Sequence, residues 1–416
     1  MIDYARAEFS QGKKHTSLET KKLIQKVNWH HAAIQACFWA GFNAIWSYIT
    51  VLLLYRGFDN TQIGLISATA LLLPLVLSPR LAALADKNPR FTARRIAFFL
   101  AAAMEVIVLI LWCFGRFRSV NAVCFMLIGV FLTMLPPYFN VMVSDFILRG
   151  INVNYGMGRG IGSIGYAVLA LILGNVLEHR SPTLVVPIYL VIGLLLLVSI
   201  GTFRYPLPPL ALERTTHKPL SNGAMLKKYP AFALLALGCA LLCGGHSAVS
   251  TYLIHVCHQV GQGEALMGTL LAVSAAMELP SMILFDRLVE KKPLTFWFSL
   301  SAVFYLLRQL LMTFAVSPAF LYLAAVFQFF ENGMLVTATT MYVVRYLDAA
   351  NQAKGQSLLY VFSNGVGAAA MTILCGRLVD AAGTKVMMLA VSGCMLIGVV
   401  IVLLALHLPK KKERFT

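Results

Sequence analysis

Seven side chains that can carry charge lie inside long apolar stretches of this sequence. A carboxylate or guanidinium at the centre of a bilayer costs about 2.5–3.5 kcal/mol on insertion scales, so such a group usually faces a cavity or a partner. There it can exchange a proton, form an ion pair or bind a polar molecule. We therefore take these residues as the candidates for function: Glu105, Asp145, Arg159, His246, Glu278, Arg308 and Glu331.

Glu331 is the candidate with the clearest chemistry. It lies near the middle of the apolar stretch 325–344, about 20 Å into its predicted helix at a rise of about 1.5 Å per residue. A carboxyl group at that depth is tolerated when protonated and needs water or a cation when ionised. Arg308, at comparable depth in the preceding helix, would favour the ionised form. The two could form a site for proton exchange, or a fixed ion pair that only joins two helices.

Composition identifies the chain as an integral membrane protein. Of its 416 residues, 59% are hydrophobic and 12% are charged, with a mean hydropathy of +0.76; soluble domains contain about 45–50% apolar residues. About 20 apolar residues cross the hydrocarbon core as a helix. We therefore predict an all-α protein with twelve transmembrane helices. The predicted spans are 29–55, 62–85, 95–115, 120–146, 155–178, 184–205, 230–256, 265–286, 294–315, 318–345, 354–378 and 385–408.

The distribution of basic residues predicts how the chain is oriented. With both termini in the cytoplasm, 26 Lys and Arg residues fall on cytoplasmic segments, six on external segments and two within spans, which follows the positive-inside rule. We expect a lipid-embedded monomer of the cytoplasmic (inner) membrane without a signal peptide. The net charge of +17 forms no basic stripe with interleaved aromatic residues, so nucleic acid is not an expected partner. The eight cysteines have no zinc or disulfide spacing, and neither a metal nor a cofactor is expected.

Two internal echoes divide the chain into parallel halves. "TQIGLISATALLLPLVLSPRLAALADK" (61–87) is echoed by "ALMGTLLAVSAAMELPSMILFDR" (265–287), and "LALILGNVLE" (169–178) by "AMTILCGRLVD" (370–380). Transporters built from such repeats hold their solute between the halves, near the midplane. The predicted divisions are a cytoplasmic segment 1–28, a six-helix half 29–205, a proline- and lysine-rich linker 206–228, a second six-helix half 229–408 and a basic tail 409–416.

Two six-helix halves with "DK" at 86–87 and "RR" at 94–95 after the second helix resemble the major facilitator superfamily of secondary transporters. In that family the acidic residue of this loop helps to lock the halves together on the cytoplasmic side. The resemblance implies a gating role for Asp86, with Arg94 beside it. The alternative is a helix end followed by ordinary solvated charge.

The second half resembles the lactose permease and related oligosaccharide:proton symporters. "FFENGMLVTATTMYVV" aligns with the tenth helix of that family, and Glu331 then falls on its proton-carrying glutamate. In the same register, Arg308 falls on the arginine that assists deprotonation. Glu278, in "AAMELPSM", falls on the glutamate that links sugar binding to proton coupling.

The fifth predicted helix carries a second part of the resemblance. In "GMGRGIGSIGYA", Arg159 matches an arginine that holds sugar hydroxyls, and Tyr166 takes the place of a tryptophan that stacks on the sugar ring. Arg159, Ser163 and Tyr166 are spaced i, i+4 and i+7, so they share one face of a helix. An arginine this close to a helix end could instead extend to lipid headgroups.

The helix 4 partner of that arginine is missing. The family has a glutamate there, whereas Asn140 and Val141 stand at the matching position and Asp145 lies about one turn further on. We retain Asn140 as a candidate for solute binding and Asp145 as a secondary candidate.

Other positions also depart from the family. Gln328 replaces a histidine one turn before Glu331, and its amide could bind a solute hydroxyl or bridge two helices. His246 and Asn364 replace an aspartate–lysine pair. Galactoside specificity is therefore not implied.

Three features of the sequence each allow two interpretations. Glu105 has no counterpart in the family and could be a second proton site or a protonated carboxyl bonded to a neighbouring helix. His246 could be a satisfied interhelical histidine or a proton relay. The aromatic residues of the first helix could face lipid and core or line the cavity; they are Phe38, Trp39, Phe42, Trp46 and Tyr48.

The sequence favours a proton-coupled symporter for a small polar solute, such as a mono- or oligosaccharide. The alternatives are a proton-driven exporter of amphipathic compounds, nucleoside uptake, and a sensor that binds solute without transporting it. An enzyme is not expected, because no set of catalytic side chains or metal ligands converges at one depth.

Overall fold

The computed structural model describes residues 2–88, 90–149, 151–206 and 220–408, with side chains from Lys21 onward except those of residues 86, 282 and 286. The side chain of the predicted gating residue Asp86, most of the predicted linker and the predicted tail 409–416 lie outside the described residues. Most of the described backbone is α-helical.

Eleven helices in the described part of the chain are long and apolar enough to cross a membrane. The last, Ala349–His407, contains the final two predicted spans, which Gly383 divides with a φ of 83° and a ψ of 169°. Only glycine adopts that conformation without strain. The prediction of an all-α membrane protein with two halves of six helices is confirmed. We label the helices α1 (Lys21–Tyr55), α2 (Asn60–Lys87), α3 (Ala93–Phe114), α4 (Arg118–Ile147), α5 (Tyr155–His179), α6 (Pro182–Thr202), α7 (Pro230–Thr251), α8 (Glu264–Lys291), α9 (Leu294–Thr313), α10 (Pro318–Tyr346), α11 (349–382) and α12 (384–407).

The outer surface of the bundle is apolar. Phe99, Val191 and Val198 each expose 62–63% of their surface, whereas the larger side chains of Tyr252 and Tyr305 are fully buried between helices. A wide apolar exterior marks a surface that contacts lipid rather than water. The bundle therefore has the exterior of a membrane-spanning protein.

Local capping sets the start of α5 and so the position of Arg159. The Asn154 side-chain oxygen accepts a hydrogen bond from the Met157 backbone N–H at 2.9 Å, which satisfies one of the free donors at a helix N-terminus. Helix α5 begins at Tyr155, so Arg159 lies one turn inside it.

One end of the molecule is closed by hydrogen bonds between the halves. We call the side that holds residues 56–59 the distal side, and the side that holds residues 203–206 the terminal side. On the distal side the Asp380 carboxylate of α11 accepts bonds from the backbone N–H groups of Asn60 and Thr61, at 3.1 and 2.7 Å, and from both their side chains. An anion from the second half thus caps the positive end of α2 in the first half.

A matching contact joins α5 to α8. The Glu178 carboxylate at the end of α5 accepts the Ala265 backbone N–H at the start of α8 at 2.8 Å. Further along, a Cβ atom on Gly268 would lie 2.3 Å from the Ala170 carbonyl oxygen and 2.7 Å from Gly174 Cα. Glycines therefore permit the close approach of these two helices. Glu178 and Asp380 are the last residues of the two similar segments 169–178 and 370–380. The internal repeat in the sequence therefore includes the residues that join the halves.

Further hydrogen bonds strengthen the distal contact. Thr50 donates to the Thr251 carbonyl at 2.5 Å and so joins α1 to α7. The Tyr252 hydroxyl lies 2.9 Å from the Asn60 carbonyl and 3.2 Å from the Thr372 carbonyl. These contacts hold the two halves together on the distal side.

Candidate functional site

A cavity of about 390 Å³ lies between the halves, within the range of small-molecule sites. Its wall is built from α1 and α5 of the first half and from α7 to α11 of the second. The polar and charged residues of the wall include Arg159, His246, Glu278, Arg308, Gln328 and Asn332. The structure therefore brings most of the predicted site residues to one place.

Glu331 lies behind this wall and is fully buried. Arg308 Nε is 3.2 Å from Glu331 Oε2, and Arg308 Nη1 is 3.4 Å from Oε1. Arg308 Nε also donates to the Ala324 carbonyl at 3.2 Å. The two predicted coupling residues thus form a direct ion pair, in which the guanidinium offsets the cost of a buried carboxylate.

His246 is the third member of this cluster. Its Nδ1 atom lies 2.9 Å from Glu331 Oε1 and 2.8 Å from Arg308 Nη1. That nitrogen can accept from Arg308 when it carries no proton, or donate to Glu331 when it does. The side chain of His246 is 19% exposed and that of Arg308 is 10% exposed, whereas that of Glu331 is 0% exposed. His246 therefore stands between the cavity and the buried carboxylate.

Helix α10 is interrupted at this cluster. The predicted span 318–345 is present, but a 3₁₀ turn, Phe327–Phe329, follows its first α-helical part, and Glu331 has a non-helical ψ of −98°. The Ser301 hydroxyl of α9 donates to the Glu331 carbonyl at 2.8 Å, which helps to satisfy the displaced backbone. Interrupted helices mark ion and solute sites in transporters of this architecture.

Glu278 faces the cavity from α8 and is held by neutral amides. Its Oε1 atom accepts bonds from Gln328 Nε2 and Asn332 Nδ2, both at 2.7 Å. Asn332 in turn accepts the Tyr305 hydroxyl at 3.1 Å. Gln328 thus makes the interhelical bridge that the sequence left as one of two options, while its Oε1 atom is buried and has no partner among the described residues. The sequence prediction missed Asn332, although its position next to Glu331 was a usable signal.

Arg159 faces the cavity from the opposite half. Its Nη1 donates to Ser163 Oγ at 2.8 Å, and its guanidinium lies 4.3 Å from the centre of the Trp39 ring. Tyr166, also in the wall, bonds to Ser47 through its hydroxyl at 3.0 Å. The helix-face spacing placed Arg159, Ser163 and Tyr166 together correctly.

The first helix contributes more to the wall than the sequence specified. Trp39, Phe42 and Trp46 line the cavity, whereas Phe38 and Tyr48 are buried in the core. The Trp39 indole N–H donates to Gln35 at 3.0 Å, which orients its ring beneath the guanidinium. A helix that is apolar on every side gave no sign of which aromatic residues face inward.

Four candidates lie elsewhere. Asn140 does not line the cavity and accepts the Tyr155 hydroxyl at 3.0 Å, because its helix turns it toward the start of α5. Asp145, one turn further along α4, is also absent from the wall. Arg94 donates to the Gly201 carbonyl of α6 at 3.2 Å, a contact within the first half.

Glu105, the last of the four, packs between α3 and α6. A Cβ on Gly193 would lie 2.0 Å from Glu105 Oε2, so the glycine provides the space for this carboxyl group. Both carboxyl oxygens are buried without a hydrogen-bond partner among the described residues. The bond to a neighbouring helix, one of the two interpretations of Glu105, is therefore not seen among the described residues, and Glu105 does not line the cavity.

Known proteins share this architecture. Residues 31–390 match the family model described as the MFS_1-like family. The maltose permease of Geobacillus stearothermophilus is 26% identical over 298 residues, which cover 70% of this chain and 72% of that protein. The uncharacterized transporter YwbF of Bacillus subtilis (strain 168) is 21% identical over 371 residues, 85% of this chain and 88% of that one.

A solved structure supports the same assignment of fold. The crystal structure of the nucleoside transporter NupG superimposes with a TM-score of 0.74 at 14% identity, covering 93% of this chain and 100% of that one. Because the family model spans most of the chain, the protein belongs to the MFS_1-like family and is a transporter of the major facilitator type.

Proposed function

We propose that the protein is a proton-coupled symporter of a small polar solute of the sugar type. The observation that carries the proposal is the cluster in which His246 and Arg308, in the wall of a cavity between the two halves, contact Glu331 buried behind them. A buried carboxyl group between a guanidinium and an imidazole can bind and release a proton, and either change alters the charge balance of the wall.

Proton transfer would pass through His246. Glu331 has no surface of its own in the cavity, whereas His246 is in the wall and within hydrogen-bonding distance of the carboxylate. A proton taken from the cavity by the imidazole can move to Glu331 Oε1 without a large side-chain movement. A proton on Glu331 would remove its negative charge and so weaken its attraction to Arg308, which could then move away. The return of Arg308 to Glu331 would favour release of the proton.

Solute binding would use both halves. Glu278, in the wall of the second half, is an acceptor for hydroxyl groups, and Arg159, in the wall of the first half, is a donor. A solute that bonds to both sides would draw the halves together, which links binding to the closing of the cavity. The similarity to a maltose permease supports a sugar as the solute.

Nucleoside uptake is the second candidate. Trp39, Phe42 and Trp46 in the wall could stack on a base, and the fold is similar to that of a nucleoside transporter. Competition between unlabelled sugars and nucleosides for the same uptake would separate the two.

The test is solute-driven alkalinisation of a weakly buffered medium by cells or vesicles that contain the protein. We expect proton uptake with at least one sugar. Glu331→Gln should abolish accumulation but retain exchange of solute, because a neutral amide keeps the site and cannot carry the proton. Glu290→Gln, which changes an exposed carboxylate on α8, is the matched control. No proton uptake with any member of a broad sugar and nucleoside panel would refute symport.

A further inference from the structure

Two arginines line the cavity, and among the residues that the structure describes only Arg308 has a carboxylate partner. Arg308 is paired with Glu331 at 3.2 Å. Among the described residues, Arg159 forms no ion pair; its contacts are the Ser163 hydroxyl and the face of Trp39. The first half thus presents to the cavity a guanidinium that no carboxylate contacts directly in the described part of the chain.

The surroundings of Arg159 leave donors free for a ligand. A guanidinium has five N–H groups in one plane. Ser163 accepts one of them, and the central carbon of the guanidinium lies 4.3 Å from the centre of the Trp39 ring, which accepts no N–H···O hydrogen bond. The remaining N–H groups form the fork that suits a carboxylate, which can accept two parallel hydrogen bonds. The N-terminus of α5, one turn away, adds to the positive potential.

The residue that would supply an internal counter-charge is neutral in this chain. The resemblance to oligosaccharide symporters places a glutamate on α4 opposite this arginine, where Asn140 stands. Asn140 Oδ1 accepts the Tyr155 hydroxyl at 3.0 Å and cannot offset the charge of Arg159. A solute that brings its own negative charge would do so.

The second half is suited to the uncharged part of such a solute. Glu278 is a carboxylate held by two amide groups without a cation, so it repels an anion and accepts hydroxyl hydrogens. Gln328 and Asn332, which donate these bonds, line the same side of the cavity. The two walls therefore differ in the group that each would bind, and they orient a solute with a carboxylate at one end.

We propose that the solute is a sugar acid, whose carboxylate is bound by Arg159 and whose hydroxyl groups are bound by Glu278. This inference rests on the proposed function, since it concerns the same cavity. The inference predicts that the protein binds a sugar acid more tightly than the parent neutral sugar, a preference that a permease for neutral sugars would not need.

Matched pairs of ligands test the inference directly on the purified full-length protein. The pairs are glucose with glucuronate and galactose with galacturonate, and affinity is measured by titration calorimetry at constant ionic strength. We expect at least one uronate to bind about tenfold or more tightly than its parent, the value of one charge-assisted hydrogen bond. Arg159→Gln should remove that difference by weakening the uronate much more than the parent sugar, and Arg159→Lys should retain part of it. Arg116→Gln, an exposed arginine outside the cavity, is the control.

A second variant restores the missing charge. Asn140→Glu should lower uronate affinity and leave the neutral parent unchanged, because the new carboxylate competes for Arg159. Equal binding of acids and parents, with Arg159→Gln weakening both alike, would overturn the sugar-acid inference and leave sugar transport standing. If neither class binds and none drives proton uptake, both the inference and the proposed function fail.

Discussion

The two halves of the protein are alike where they meet on the distal side and unlike where they face the cavity. At the distal contact, each half supplies a carboxylate from the end of its fifth helix to the start of the second helix of the other half, through Glu178 and Asp380. At the cavity, the first half presents Arg159, which forms no ion pair in the described part of the chain, whereas the second holds Arg308, Glu331 and His246 together. The contact between the halves is thus repeated in both, whereas the charged side chains at the cavity differ between them.

The largest effect is expected at the charge cluster of the second half. Arg308→Gln would leave Glu331 buried without a cation, which costs about 3–5 kcal/mol when one partner of a buried pair is removed. Thermal unfolding in detergent should show a large loss of stability, together with loss of proton-driven accumulation. The double variant with Glu331→Gln should be more stable than Arg308→Gln alone, because no uncompensated charge remains. Two single variants whose effects simply add would show that the pair is not coupled.

A smaller effect is expected at the distal contact, where the halves are alike. Asp380→Asn should favour opening on the distal side by about tenfold, since the lost charge had bonds to two backbone N–H groups. Glu178→Gln should act in the same direction but less, because it loses one such bond. The readout is the labelling rate of Leu271→Cys, a cavity position, by an impermeant thiol reagent in a background without native cysteines.

Asp59→Asn is the control for that comparison. Asp59 caps the same helix α2, but it bonds to Gln62 within its own half. It should therefore leave the labelling rate unchanged. An equal increase from Asp59→Asn and Asp380→Asn would mean that helix stability, and not the contact between halves, controls opening.

The smallest effect is expected at Glu105. This carboxyl group has no partner among the described residues and lies outside the cavity wall. Glu105→Gln should change proton-driven uptake by less than about twofold, the range of substitutions that break no specific interaction. Loss of coupling as complete as that of Glu331→Gln would instead place a second proton site in the first half.

Much of the site could be predicted because the depth of a residue in the membrane follows from its position along its own helix. Residue counting placed Glu331 and Arg308 at one depth, and helical spacing placed Arg159, Ser163 and Tyr166 on one face; the structure agrees on both points. The sequence could not show that His246 inserts between the cavity and Glu331, because that contact joins residues 85 positions apart. The break in α10 was also missed, since Ser301 stabilises it from another helix.

The sequence by itself determined that this chain is a bundle of membrane-spanning helices in two related halves, with a few charges at an unfavourable depth. It could do so because apolar length, local capping and repeated segments are properties of neighbouring residues. Which charge has a partner depends on tertiary packing: among the described residues Arg308 pairs with Glu331, Arg159 forms no ion pair, and Asn140 is turned away from the cavity. Pairing depends on how helices distant in the chain pack against one another, and no local pattern records it.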